Sequence, residues 1–215
     1  MWNVIAHIKL LLVGFGDFKQ LKPVGEEHIS FIHSWVVKYV FNNTICELTN
    51  IHRFNDSRLL QDAHKCANGE NIEFNDSTKE EHGLAFCWTN QAVDAITDKW
   101  NKHYANGEQL QVTGFKQSKS ILHNGLKLMA YKSNGKRFRN SEDFTVRSFD
   151  SKYMCLVNDF DNTEIKVELK LANYFKPMYA MTVHKAQGMT INRPYSIYEY
   201  KRMQHDMLYV ALTRT

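Results

Sequence analysis

Two hydrophobic textures run along the chain. Ile8-Lys9-Leu10-Leu11-Leu12-Val13 is a nearly unbroken apolar run closed by Gly14, and such a run predicts a strand covered on both faces, as in a parallel sheet under helices. The turn Gly14-Phe15-Gly16-Asp17 follows, so polar groups are expected at the C-terminal end of that strand, the edge at which open parallel sheets bind ligands. Leu84-Ala85-Phe86-Cys87-Trp88 and the segment Tyr179 to Val183 predict two further buried strands. Asn55-Asp56 opens a helix with Leu59, Leu60, Ala63 and Ala67 on one face, and Asn68-Gly69 closes it. A second helix carries Ala92, Val93, Ile96 and Trp100 at helical spacing. A third, apolar one runs from Met203 to Leu212.

The texture changes between about Gly114 and Phe175. Short alternating runs such as Thr145-Val146-Arg147-Ser148-Phe149 and Ile165-Lys166-Val167-Glu168-Leu169 are separated by turn residues, the pattern of a small antiparallel sheet or barrel. The polar stretch Glu70 to Gly83 reads as a connection. The expected class is therefore α/β, a parallel sheet with flanking helices and an inserted small β unit.

Composition narrows the function classes. The 215 residues carry 27 Lys and Arg against 23 Asp and Glu, a net charge of +4, which permits nucleic-acid binding without demanding it. Cys46, Cys66, Cys87 and Cys155 form no Cys-x-x-Cys pair, so no metal site is expected and the four read as buried thiols of a reduced, intracellular protein. No apolar stretch approaches the ~20 residues that span a bilayer, and Met1 leads into a strand-like run without the marks of a signal peptide. A membrane partner is not expected.

Four segments carry candidate chemistry: Gly16-Asp17-Phe18-Lys19-Gln20-Leu21, Leu48-Thr49-Asn50-Ile51-His52-Arg53, Thr182-Val183-His184-Lys185-Ala186-Gln187-Gly188-Met189-Thr190, and Leu208-Tyr209-Val210-Ala211-Leu212-Thr213-Arg214. Phosphoryl transfer needs charge compensation at the γ-phosphate and a polar group to orient water. Gln20, one tight turn beyond a strand, can offer an amide there; a solvated turn glutamine is the alternative. Arg214 ends an apolar helix, where burying a guanidinium requires an anionic partner; Arg53 precedes a helix and suits either a phosphate or a surface ion pair. By the two-residue strand period Thr182 and His184 project from one face, and hydroxyl, imidazole and exposed amides suit the phosphates of a nucleic-acid strand. Lys185 fits the same track or open solvent. Thr89-Asn90 stands between strand and helix, a place for a phosphate or for a helix cap. Tyr131 to Arg139, with Lys136 and Arg137 at its centre, interleaves cations and aromatics as a single-strand grip does, and equally as an exposed hairpin does.

In this order the four segments resemble motifs III, IV, V and VI of superfamily 1 DNA helicases, most nearly the 5′-to-3′ branch with RecD, TraI and the Dda-type enzymes, over essentially the whole chain; the C-terminal part resembles a UvrD-like helicase C-terminal domain. The resemblance implies a RecA-like P-loop NTPase motor fold with an inserted SH3-like barrel: residues 1–78 as the tail of a first motor domain, 79–113 and 176–215 as the second, and 114–175 as the insert. It implies ATP-driven translocation on single-stranded DNA and duplex unwinding. Gln20, Arg53 and Arg214 take catalytic roles, and Gly16, Asp17, Gln187 and Gly188 join them in nucleotide binding. Thr89, Asn90, Thr182, His184, Lys185, Lys136 and Arg137 hold DNA. ATP and Mg2+ are the implied cofactors of the intact parent, and single-stranded DNA (or RNA) and an N-terminal motor domain the implied partners. Two departures stand out: Asn140-Ser141 where the family has Asn-Gly, and Gly14-Phe15 inserted before Gly16-Asp17, which suggests a bulge.

The sequence contains neither Gly-x-x-x-x-Gly-Lys-Ser/Thr nor the Asp-Glu pair that holds magnesium upstream of motif III. The chain is thus expected to be the C-terminal portion of a longer motor, with a non-catalytic binding module of helicase descent as the other reading. Without a phosphate cradle most of the electrostatic stabilisation of phosphoryl transfer is missing. The purified chain should hydrolyse ATP at background rate with or without single-stranded DNA; DNA-stimulated turnover in a phosphate-release assay contradicts this.

Overall fold

The computed structural model describes residues 12–23, 25–26, 28–47, 56–74, 83–114, 116, 119–135, 137–191 and 193–214. The chain divides into two compact units, residues 1–75 with 187–192 and 203–215, and residues 76–186 with 193–202. In chain order the α-helices of the described residues are α1 Ser57–Ala67, α2 Asn90–Tyr104, α3 Val183–Ala186 and α4 His205–Leu212. The strands are β1 Ala85–Cys87, β2 Gln109–Thr113, β3 Lys119–His123, β4 Lys127–Ala130, β5 Asp143–Phe149, β6 Tyr153–Asn158, β7 Glu164–Glu168, β8 Phe175–Pro177, β9 Ala180–Thr182 and β10 Ser196–Ile197.

The second unit is built on a parallel sheet of order β10-β1-β9. Its central strand has no solvent face, since residues Leu84 to Cys87 are all 0% exposed, as the unbroken apolar run predicts. Helix α2 follows, burying Val93, Thr97, Trp100 and Asn101. Trp100 meets Tyr179 edge-on at 6.5 Å. The alternating region forms a five-stranded antiparallel sheet of order β7-β6-β5-β4-β8 and a separate β2-β3 ladder. In β5, Phe144 and Val146 are buried while Arg147 is exposed at an irregularity of register between Val146 and Ser148. Phe138, Phe144 and Phe175 interlock there, with ring centroids 4.8 to 6.4 Å apart, within the favourable range for tilted and edge-on pairs. The α/β class with a parallel sheet and an antiparallel β insert is the class expected.

In the first unit α1 starts where Asp56 caps it: Oδ1 accepts from the N–H groups of Arg58 and Leu59 at 2.8 and 3.3 Å. It ends at Gly69, φ +76°, with Glu70 N–H reaching back to the Lys65 carbonyl at 2.9 Å, a left-handed cap that suits glycine. Its inner positions Ala63 and Cys66 are buried, and the helix packs against α4.

Some expectations fail. Leu12 and Val13 belong to no strand and are 39% and 67% exposed; Ile8 to Leu11 lie outside the described residues. An apolar run becomes a strand only when neighbours complete its ladder, and no ladder of the described residues includes Leu12 and Val13. Gly14-Phe15 is accordingly no bulge. Of the exposed large hydrophobics among the described residues, all but Phe160 fall between Leu12 and Ile45, so apolar surface is concentrated in this region. Cys66 and Cys87 are buried, but Cys46 is exposed and Cys155 half-buried; Cys46 lies in an irregular stretch that offers no core. Burial pushes the Cys66 and Cys87 thiols up to about 11 and about 12, which leaves them unreactive at neutral pH. No helix of the described residues is long and apolar enough to cross a membrane.

Trp100 is fully buried between helix and sheet. Trp100→Ala should lower unfolding free energy by about 3–5 kcal/mol, measured in urea; a loss under about 1 kcal/mol shows that the helix is not held by this contact.

Candidate nucleic-acid interface and nucleotide-side cluster

Strands β1 and β9 run side by side in the same direction, with Cys87 opposite Thr182. Their C-terminal ends therefore open at one edge of the sheet, and each leads directly into a helix. At the end of β1, Thr89 caps α2: its Oγ1 accepts from Ala92 N–H at 3.1 Å and donates to Glu199 Oε2 at 3.0 Å. The Thr89 N–H donates to the same carboxylate oxygen at 3.1 Å. Asn90 is the first helical residue and is exposed. At the end of β9, Thr182 Oγ1 accepts from Lys185 N–H at 3.2 Å. That bond turns the chain into α3, so His184 lies on a helical turn and not one strand period beyond Thr182. His184 is exposed and Thr182 half-buried. The shared strand face expected for the pair does not form, because a threonine that caps ends its strand.

The remaining nucleic-acid candidates lie in the same unit. Lys185 Nζ donates to Ser141 Oγ at 2.7 Å and stands 5.3 Å from the centroid of the Tyr131 ring. Arg137 is exposed on the turn closed by its N–H to the Asn134 carbonyl at 3.0 Å; Lys136 lies outside the described residues. Two residues at this edge had no signal of their own in the sequence. Glu199 holds Thr89 from 110 positions away in a left-handed backbone, φ +59°. Arg202 Nη1 donates to Glu199 Oε1 at 3.4 Å, and its guanidinium stands 4.4 Å over Trp88, within cation–π range.

The nucleotide-side candidates that are described, Gly16, Asp17, Gln20, Gln187, Gly188 and Arg214, all belong to the first unit; Arg53 lies outside the described residues. Asp17 is their hub. Its Oδ1 accepts from Lys19 N–H at 3.0 Å, and its Oδ2 from Gln20 Nε2 at 3.1 Å and from Tyr209 Oη at 3.0 Å. Gln187 Nε2 reaches Gln20 Oε1 at 3.5 Å, the long limit of a hydrogen bond. Gly16, Asp17, Gln187 and Gly188 are exposed and Gln20 half-buried. Gly188 has φ +84°, a conformation that favours glycine. Arg214 is 3% exposed. Its Nε donates to the Val210 carbonyl at 2.9 Å, Nη1 to the Met189 carbonyl at 3.4 Å, and Nη2 to Thr213 Oγ1 at 3.0 Å. The Val210 carbonyl, at a helix end, carries partial negative charge, and with the Met189 carbonyl and the Thr213 hydroxyl it receives a guanidinium for which the sequence suggested an anion. Burial, then the Asp17 carboxylate, pushes the Tyr209 hydroxyl up to about 12, with Arg214 pulling the other way. Tyr209, not singled out by its sequence position, thus ties Asp17 to α4.

Asp143, at the start of β5, is the second electrostatic feature of the β insert. Burial, then Asp159, pushes its carboxyl up to about 6, against Arg193, Lys127 and Lys185; its Oδ1 is buried with no hydrogen-bond partner among the described residues. No group of three or more His, Cys, Asp or Glu among the described residues could hold a metal ion.

No family model matches the sequence, and no curated protein does. Solved structures do. A structure of two coordinating Pif1 helicases at forked double-stranded DNA matches with TM-score 0.64 at 19% identity, over 93% of this chain and 57% of that one. Pif1 from Candida albicans matches with TM-score 0.64 at 16% identity, over 93% and 60%. Pif1 from Bacteroides, in complex with ADP-AlF3 and single-stranded DNA, gives 0.62 at 18%, over 93% and 58%. The chain shares the fold of these Pif1 structures. The chain spans less than two thirds of the length of these structures, and identities so low speak for fold alone.

An aspartate with a folded pKa above its ordinary 3.8 gives up its proton more readily when unfolded. Stability therefore falls as pH rises from about 4 to about 6, and the cost is fully present above that window. Asp143→Asn should stabilise the chain at pH 7.5 by roughly 1–3 kcal/mol and change little at pH 4, as followed by urea unfolding. An equal effect at both pH values refutes the assignment.

Proposed function

We propose that this chain is part of an ATP-dependent DNA helicase that moves on single-stranded DNA, and that the edge formed by β1 and β9 grips the strand. The single observation that carries this reading is the parallel, in-register pairing that opens Thr89-Asn90 and Thr182-His184 at one edge. Hydroxyls, an exposed imidazole and a helix N-terminus in that arrangement suit a row of phosphates. The Bacteroides Pif1 structure that shares the fold holds single-stranded DNA and a nucleotide analogue, which supports the same partners here. Assignment to the 5′-to-3′ branch rests on the order of the four motifs.

In this reading residues 1–78 complete a first motor domain, 79–113 and 176–215 form the second, and 114–175 are the insert. Uncovered apolar side chains between Leu12 and Ile45 support a further motor domain packing there. ATP with Mg2+, held by that domain, supplies the phosphoryl group whose hydrolysis drives movement. This chain contributes the Gln20 and Gln187 amides, which can hydrogen-bond a phosphate oxygen or orient water, and the charges of Arg53 and Arg214. Gly16 and Asp17 shape the turn that aims Gln20, and Gly188 the turn that follows Gln187. Asp17 alone among these is a hard anionic ligand, so the magnesium site belongs elsewhere in the intact protein. Such a motor works inside the cell, in cytoplasm, nucleus, mitochondrion or at a viral replication site. The second reading, a single-strand-binding module without catalysis, needs only the polar groups at the β1-β9 edge.

Fluorescence anisotropy with one sequence as single-stranded DNA, duplex DNA and single-stranded RNA tests the interface. The chain should prefer single-stranded DNA, and Asn90→Ala and His184→Ala, both exposed and outside the core, should each weaken binding about 2- to 10-fold. Unchanged affinity in both variants, or no binding by the parent chain, overturns the reading; tighter binding to RNA moves the track to RNA, through its 2′-hydroxyl.

A further inference from the structure

The ammonium group of Lys185 is already engaged within the second unit. It donates to Ser141 Oγ at 2.7 Å and lies 5.3 Å from the centroid of the Tyr131 ring. We propose that Lys185 is a positioning residue: it fastens the one-turn helix α3 to the loop between β4 and β5, and so orients Thr182 and His184 without touching the nucleic-acid strand itself. The proposal rests on the reading of the β1-β9 edge as the nucleic-acid interface.

The receiving side is rigid. Phe138 anchors the 131–141 hairpin in the core at 1% exposure. A bridge between Asn134 and Phe138 closes its tip, and Lys132 lies 5.3 Å from the centroid of the Tyr174 ring. At its base Ser141 N–H donates to the Ala130 carbonyl at 2.8 Å, beside the Ala130 N–H to Glu142 carbonyl bond at 2.9 Å. Ser141 has φ +70°, a left-handed conformation that disfavours side chains other than those of glycine, asparagine and aspartate. Glycine fits that corner with less strain but offers no hydroxyl. The serine bears the strain and supplies the acceptor that Lys185 uses.

The side that is fastened needs support. Helix α3 has four residues, far below the length at which a helix holds itself together. Val183 and Ala186 are buried at 0%, Thr182 caps the first turn, and Lys185 is the long side chain of that turn that reaches a partner outside it. His184 is its neighbour in sequence, so a fixed Lys185 holds the backbone from which the imidazole projects. Two carboxylates border this contact. Asp94, paired with Lys176 at 2.7 Å, acts on Tyr131, and Lys185 acts on Asp143. Neither replaces Ser141 as the hydrogen-bond acceptor.

Salt dependence separates a tether from a phosphate contact. Each phosphate neutralised on a single strand adds about 0.7 to the slope of log affinity against log salt. The 215-residue chain and its Lys185→Met, Ser141→Gly and doubly substituted forms are titrated with single-stranded DNA at several salt concentrations and unfolded in urea. Ser141→Gly relieves backbone strain and keeps the fold, so its effect reads the lost hydroxyl. The proposal expects both single variants to bind about 2- to 10-fold more weakly, the double variant no worse than either, and all three slopes equal to the parent's. A slope reduced by about 0.7 in Lys185→Met, with Ser141→Gly binding normally, overturns it. If the parent chain binds no single-stranded DNA, the interface reading fails on its own. The urea data then decide the tether: non-additive destabilisation of Lys185→Met and Ser141→Gly supports it, and additive effects overturn it.

Discussion

Everything assigned to the candidate nucleic-acid face depends on one constraint, the same direction of β1 and β9. Parallel strands bring their C-terminal ends to a common edge, and Cys87 opposite Thr182 sets that edge to within a residue. An antiparallel pairing of the same two apolar strands would bury them equally well and send Thr89 and Thr182 to opposite ends. Ala180 and Met181 are buried while Thr182 is only half-buried, so the register resists slippage: a shift of one residue would pull Thr182 into the core or an apolar side chain out of it. The packing that stabilises the sheet is thus also what gathers the polar groups.

Polar interactions then refine what packing places. Thr89 and Thr182 each spend a hydroxyl lone pair on a backbone N–H, of Ala92 and Lys185 respectively. The same atom that could face a phosphate is thereby fixed in direction by the helix it starts. Glu199 occupies the Thr89 amide and hydroxyl, so the N-terminus of α2 already has an anionic partner within the chain, and under the proposed function a phosphate has to compete with that carboxylate or lie beside it at Asn90. In the first unit the logic is similar: Asp17 collects Gln20 and Tyr209, while the Val210 and Met189 carbonyls and a threonine hydroxyl collect Arg214. Each cluster is held together by contacts within the chain.

The sequence made the core elements legible because their signals are local. Leu84 to Cys87 announce a doubly buried strand by an unbroken apolar run, and Asp56 and Gly69 mark both ends of α1 through side-chain and backbone preferences that act within a few residues. Leu12 and Val13 carry the same apolar signal, yet a strand is a property of its neighbours, and theirs are not supplied by the described residues. Thr182 to His184 depart from the strand period for a different reason: strand period and helix cap compete over a few residues, and the threonine hydroxyl settles the contest. Cys46 shows that residue type alone does not specify burial. Glu199 and Arg202 could not be found from the sequence, since Glu199 lies 110 positions from the threonine it holds. Ser141 stood out only as a departure from the expected Asn-Gly, and its role in receiving Lys185 needs the fold to be seen.

The central claim is that two segments far apart in sequence form one track for a nucleic-acid strand. Backbone amide shifts recorded during a titration of the isotope-labelled chain with a short single-stranded DNA test this directly. The amides of Thr89 and Asn90 and those of Thr182 and His184 should move along one common binding curve. Movement at one pair while the other stays fixed, or shifts confined to residues outside this edge, contradicts the account.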